Sequence, residues 1–227
     1  MPQRTLSPAE KAWAKMKQTY DKIRQGITIL DCTVKSKEKC SEGEFLWQYI
    51  RILNHQLEAS RKKPVDCYLR HVRSPTGGTS SLYDWLKYAY TQTIHVSAHG
   101  SKDKETGKTY LIAGNSPFTL EHLEGIWSER EDDDKPLLIM LSACSAGHLD
   151  LIKAFAKEGC RYCIAPVFET DWEKAALFSA LFYTYLFYGS GSHANPLRPR
   201  AAFDKAKSRL PELTGWWKMF DYGKELP

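Results

Sequence analysis

Apolar residues recur along the chain with two different rhythms, and the change of rhythm divides it. Ala12, Trp13, Met16, Tyr20 and Ile23 fall at helical spacing behind Ser7-Pro8-Ala9-Glu10. That tetrapeptide is a capping box with proline at the first helical position, and Gly26 closes the pattern. A second capping box, Ser41-Glu42-Gly43-Glu44, opens a helix whose apolar positions are Phe45, Leu46, Tyr49, Ile50, Leu53 and Leu57. Between the two, ITILDCTV (27–34) fits a strand, but a short apolar run does not settle its own type. No repeat is visible in these first sixty residues. Arg61-Lys62-Lys63-Pro64 reads as a solvated connector.

Beyond Pro64, short apolar runs alternate with helical segments. VDCYLRHV (65–72), TQTIHVSAHG (91–100), PLLIMLSA (136–143) and RYCIAPV (161–167) read as strands. SLYDWLKYAY (81–90), TLEHLEGIW (119–127), HLDLIKAFAKEG (148–159) and WEKAALFSALFYTYLFYG (172–189) read as helices, and KTYLIAG (108–114) as a hairpin arm. Such alternation predicts an α/β fold: a mainly parallel sheet with helices on both faces, a three-layer sandwich. We expect a helical extension over 1–63 packed on the core and a main domain over 64–227. Ligands of such sheets bind beyond the carboxyl ends of the strands.

Two of those ends carry chemistry. One strand runs out into Ser97-Ala98-His99-Gly100 and another into Ser142-Ala143-Cys144. If the two strands are parallel neighbours, His99 and Cys144 emerge on one edge. A thiolate attacks a carbonyl, and an imidazole can activate the thiol and later protonate the leaving amine. A helix beginning near His148 would point its positive end at the thiol. The amides of Gly100 and Cys144 are candidate donors to a developing oxyanion. Singly, a histidine at a rim and a cysteine at a strand tip are ordinary packing residues; together, 45 residues apart on core strand ends, they carry more.

Composition changes this picture little. The 227 residues allow one ample domain, the net charge of +5 is mild, and no basic block marks nucleic-acid binding. The start lacks the apolar stretch of a signal peptide, and no window reaches the roughly 18 apolar residues of a membrane span. A cytoplasmic protein with no membrane partner is therefore expected, its six cysteines reduced. Cys160-Arg-Tyr-Cys163 is a lone CxxC and reads as two small buried hydrophobes rather than a metal or redox site. No metal or cofactor is expected.

Several pieces in order resemble the CHAT branch of the caspase-like cysteine peptidases, which also includes separase. They are IHVSAHG, YLIAGNSPFTLEHL, LIMLSACSAG, AFAKEGCRYCIAPVFETD, ALFSALFYTYLFYG, AAFDKAKSRL and TGWWKMFDYG, spanning roughly residues 65–227. Caspases likewise place their histidine about 50 residues before the cysteine, although Gly147 comes one residue later than in their pattern. The resemblance implies a caspase-like fold and a Cys–His dyad peptidase, with Cys144 as nucleophile, His99 as general base and acid, and the amides of Gly100 and Cys144 as oxyanion hole. Its expected partners are a protein or peptide substrate and a regulatory protein. Small microbial proteases of this kind frequently act as regulated effectors, for example in antiviral defence, and the resemblance implies such a role here. A catalytically idle scaffold or sensor module is the alternative.

Remaining candidates follow from position. Glu169 and Asp171 leave the strand at 161–167 on the dyad's edge and could select a basic residue before the cleaved bond, as in separase-like members; capping of the next helix is the rival reading. His148 is a rival partner for Cys144, His95 and His193 are weaker candidates, and Asp84 or Asp103 could orient His99. The loops 101–108 and 129–134 are candidate lids.

Overall fold

The computed structural model describes residues 8–33, 41–60, 62–89, 91–189, 196–213 and 215–227. Helix α1 (Pro8–Gln25) leads into β1 (Gly26–Asp31), α2 (Glu42–Ala59), β2 (Asp66–His71) and α3 (Leu82–Lys87). β3 (Thr93–Ser97) is followed by three short strands, β4 (His99–Lys102), β5 (Thr109–Ala113) and β6 (Ser116–Phe118). Then come β7 (Leu138–Ser142), α4 (Leu149–Lys157), β8 (Tyr162–Pro166), α5 (Trp172–Tyr183), α6 (Pro199–Arg209), β9 (Trp217–Asp221) and β10 (Lys224–Glu225).

Seven strands form one sheet in the order β10-β9-β8-β7-β3-β1-β2. Neighbouring strands from β2 to β8 run parallel, whereas β9 returns antiparallel to β8 and β10 antiparallel to β9. The central strands are buried throughout because both faces are covered. Ile94, Val96, Ile139 and Leu141 face a layer containing α3, α4 and Trp127. Ile27, Ile29, Met140 and Ile164 face α2, α5 and α6, with Phe178, Phe182, Phe203 and Trp217 filling that side. This is the expected three-layer α/β sandwich. The strands β4, β5 and β6 make a separate antiparallel sheet.

The winding reverses between β1 and β3: β1 connects outward to β2, and β3 leads on toward β7 and β8. The carboxyl ends of β1 and β3 therefore flank the kind of crevice where parallel sheets take ligands.

Three expectations need amending. Residues 26–31 are an inner strand between β2 and β3, so the first sixty residues contribute a strand as well as helices to the main core. Residues 119–127 form a single 3-10 turn at Leu120–Leu123 rather than an α-helix, since Gly125 takes φ +68° and interrupts any continuation. The acidic stretch 129–134 lies before β7, at the amino ends of the parallel strands. There Asp132 pairs with Lys135 and Asp133 with Lys22, far from where a lid would be needed.

Cys160 and Cys163 are buried, with the Cys163 thiol 3.9 Å from the Cys160 sulfur, and burial raises the Cys160 pKa well above its ordinary value. They lie at the start of β8, away from the carboxyl ends.

Candidate active site

β3 and β7 are parallel neighbours in a register that matches Ser97 with Ser142. The Ala98 amide continues the ladder by donating to the Ser142 carbonyl at 3.1 Å. His99 and Cys144 thus each stand two residues beyond a matched pair, on the same edge. The backbones close up further at the next residue. A side-chain carbon on Gly100 would collide with the Cys144 carbonyl oxygen and stand 3.1 Å from the Cys144 amide nitrogen. Only glycine permits that approach.

After Cys144 the chain turns sharply. Ser145 takes φ +56°, a left-handed conformation that costs a non-glycine residue on the order of 1–3 kcal/mol. Hydrogen bonds hold it there: Ala146 N–H to Ala143 O at 3.1 Å, Gly147 N–H to Pro166 O at 2.8 Å, and Ser145 N–H to Phe168 O at 3.3 Å. Gly147 is packed so closely on the end of β8 that an added carbon would lie 2.8 Å from a Val167 methyl. The turn is therefore stapled to the exit of β8, and this leaves the Cys144 thiol half-buried at the tip of the edge. Among the described residues the Cys144 amide makes no hydrogen bond, so it is free to serve as a donor.

The thiol itself points toward the Thr170 carbonyl oxygen, 3.7 Å away. The His99 ring is exposed and makes no hydrogen bond or ion pair among the described residues. Neither candidate orienting acid reaches it. Asp84 accepts from Ser81 Oγ at 2.6 Å at the start of α3. Asp103 accepts from the Thr106 amide and hydroxyl and the Glu105 amide, bonds that hold its carboxyl below the usual range. The stretch 101–108 that carries Asp103 is the turn and flanking residues of the β4–β5 hairpin.

His148 caps α4 through its backbone and is exposed, with α4 itself beginning five residues after Cys144. His95 is fully buried within β3, on the side of the sheet covered by α2 and α5, facing Glu42 and Tyr183. His193 lies outside the described residues.

The segment after β8 contributes more than its two carboxylates. Its Phe168 carbonyl accepts from the Ser145 amide, and its Thr170 carbonyl lies 3.7 Å from the Cys144 sulfur. Asp171 occupies the cap position of α5, accepting from the Ala175 amide through its backbone, while its carboxylate pairs with Lys174 at 2.9 Å. Glu169 is exposed and makes no ion pair or hydrogen bond among the described residues. Of the two, Glu169 is the open charge. Phe168, 59% exposed, and Trp172, 40% exposed, stand on either side of it in the chain. The left-handed Ser145 and the Thr170 carbonyl carry no sequence signal, since neither depends on a distinctive residue type. No group of three His, Cys, Asp or Glu side chains among the described residues is placed to hold a metal ion.

A family model described as the CHAT domain matches residues 63–212, from just before β2 to just beyond α6. That is more than half of the chain. No curated protein matches it.

Proposed function

Since the chain belongs to the CHAT family of caspase-like domains, we propose that it is a cysteine endopeptidase acting on a protein substrate through Cys144 and His99. The observation that carries the reading is the Ser97–Ser142 register, continued by the contact of Gly100 with the Cys144 backbone. It brings an imidazole and a thiol to one edge, and among the described residues no other side chain bonds to either.

The chemistry requires the thiol to come within reach of the His99 ring. The thiol leaves the Thr170 carbonyl and turns to the His99 ring, which takes its proton. The thiolate attacks the substrate carbonyl, and the amides of Cys144 and Gly100 receive the oxyanion. His99 returns the proton to the leaving amine. Water, activated by the same ring, then releases the acyl group from sulfur. Labelling of Cys144 by a peptide-based electrophile tests this, alongside Cys144→Ala and His99→Ala. Cleavage that survives Cys144→Ala in a folded protein would show the assignment to be wrong.

The open carboxylate of Glu169 supports selection of Lys or Arg before the cleaved bond, with Phe168 and Trp172 available to the stem of a long side chain. In a peptide library we expect basic residues to be preferred there. Glu169→Ala should lower kcat/KM for basic peptides roughly tenfold or more and spare apolar ones. A preference for Asp or for apolar residues removes this part. Asp171 is the weaker determinant, because Lys174 already neutralises it.

We extend the proposal to a cytoplasmic, partner-regulated effector, with antiviral defence as its setting. The support is the family alone, and loss of the effector phenotype on Cys144→Ala is its test. A second reading, an idle scaffold or sensor, rests on the thiol being directed at Thr170 rather than at His99. It predicts no labelling of Cys144 under any condition.

A further inference from the structure

Behind the dyad, a polar cluster is buried between the sheet and the α2–α5 layer. Glu42 opens α2 and is 5% exposed, and His95 is fully buried. The helix that delivers Glu42 is locked to the end of β1. Ser41 Oγ donates to Asp31 Oδ2 at 2.5 Å and accepts from the Glu44 amide at 3.1 Å. A side-chain carbon on Gly43 would lie 2.8 Å from Asp31 Cβ, so the helix end is seated directly on the strand end.

From there the Glu42 carboxylate reaches over the sheet. One oxygen accepts from Ser97 Oγ at 3.0 Å. The other accepts from Ser179 Oγ of α5 at 3.4 Å and stands 3.4 Å from His95 Nε2, in a contact too misaligned to be a hydrogen bond. His95 Nδ1 is 3.1 Å from the Tyr183 hydroxyl. Burial pushes the Tyr183 hydroxyl well above its usual range, with Glu42 adding to the effect, so the hydroxyl keeps its proton. Either the hydroxyl or the ring nitrogen can be the donor in that contact, according to the tautomer of His95.

Ser97 is the last residue of β3, two before His99. Its carbonyl accepts from the Cys32 amide at 2.8 Å, and the following amide donates to Ser142 at 3.1 Å. Glu42 supplies the third hold, on the side chain. A buried carboxylate is a costly way to secure a strand end, since desolvation offsets much of what its partners return. Apolar packing would stabilise the fold as well, but it would leave the Ser97 hydroxyl unaimed.

We propose that Glu42 is a positioning residue for the dyad: from the first turn of α2 its carboxylate fixes Ser97 and thereby the peptide that carries His99 to Cys144. This rests on the peptidase reading above.

The test is the rate of Cys144 modification by a peptide electrophile, measured per folded molecule and split into binding and maximal inactivation rate. Glu42→Ala should lower the maximal rate about tenfold or more with binding changed less than about threefold. Glu42→Gln, which still accepts from Ser97, should restore most of the loss. Ser97→Ala removes only one hydroxyl and should shift the rate in the same direction, which keeps the test open if Glu42→Ala does not fold. Maximal rates equal to wild type in Glu42→Ala and Ser97→Ala would overturn the inference, even if both melt earlier. A wild-type protein that is itself never labelled would instead remove the peptidase reading, and this inference with it.

Discussion

Gly100 shows how one missing methyl group governs the candidate site. Its place against the Cys144 backbone leaves no room for a side chain, and the obstacle is backbone, which does not swing aside. Gly100→Ala should therefore push His99 and Cys144 apart. We expect Cys144 labelling to fall about 100-fold, the scale of an ångström-sized misplacement, with a lowered melting temperature. Gly215→Ala is the matched control: among the described residues nothing lies within 4 Å of the added carbon, and both readings should stay at wild type. Labelling of Gly100→Ala at the wild-type rate would show that the close approach is not needed. At this scale the sequence was informative where chemistry depends on residue type, as with His99, Cys144 and Gly100. It was silent where a role depends on reach. Glu42 reads as an ordinary acidic residue in a helical first turn, and only the folded layers reveal that its carboxylate crosses to β3.

At the scale of elements, α5 and β9 form the keystone of the layer under the dyad edge. Phe178 is fully buried, stacked on Trp217 at a ring separation of 4.4 Å and edge-on to Phe203 at 5.8 Å. Phe178→Ala should cost about 3–5 kcal/mol of unfolding free energy, read from urea denaturation, whereas Phe178→Leu should cost much less. A loss below about 1 kcal/mol for the alanine variant would mean that the stack contributes little. The order of elements was legible because buried parallel strands are apolar runs separated by helical patterns. Two places were not. β1 is six residues long and buried on both faces, so its short run carries no clear period. The segment 119–127 repeats Leu120, Leu123 and Ile126 every third residue, which suits a 3-10 turn as well as an α-helix, and Gly125 decides against the latter.

For the whole molecule, the buried thiols and phenols set a limit on the alkaline side. Burial pushes the Cys67 thiol from an ordinary 9.0 up to about 12, and the Tyr183 hydroxyl also rises. The folded chain holds these protons where the unfolded chain has released them. Above pH 9 the unfolded state thus binds fewer protons, and stability falls as pH climbs toward 12. We expect the urea midpoint to drop steadily across that window and to be flat between pH 7 and 8.5. Cys67→Ser combined with Tyr183→Phe should make the drop shallower; an unchanged slope would mean that other groups dominate. The same physics bears on selectivity. With a pKa near 12, Cys67 has about one thiolate in ten thousand molecules at pH 8, while Cys32 and Cys160 are raised by burial as well. The half-buried Cys144, at the tip of the sheet edge, is left as the described thiol best placed to react.

That thiol provides the most direct measurement. Wild-type protein and His99→Ala would be treated at pH 7.5 with a peptide electrophile carrying a basic residue before its reactive group, and the modified cysteine identified by mass spectrometry. We predict rapid modification of Cys144 in wild type, slowed at least about 100-fold in His99→Ala with the fold intact. Modification of Cys144 at equal rates in the two proteins, or none in either, would contradict it.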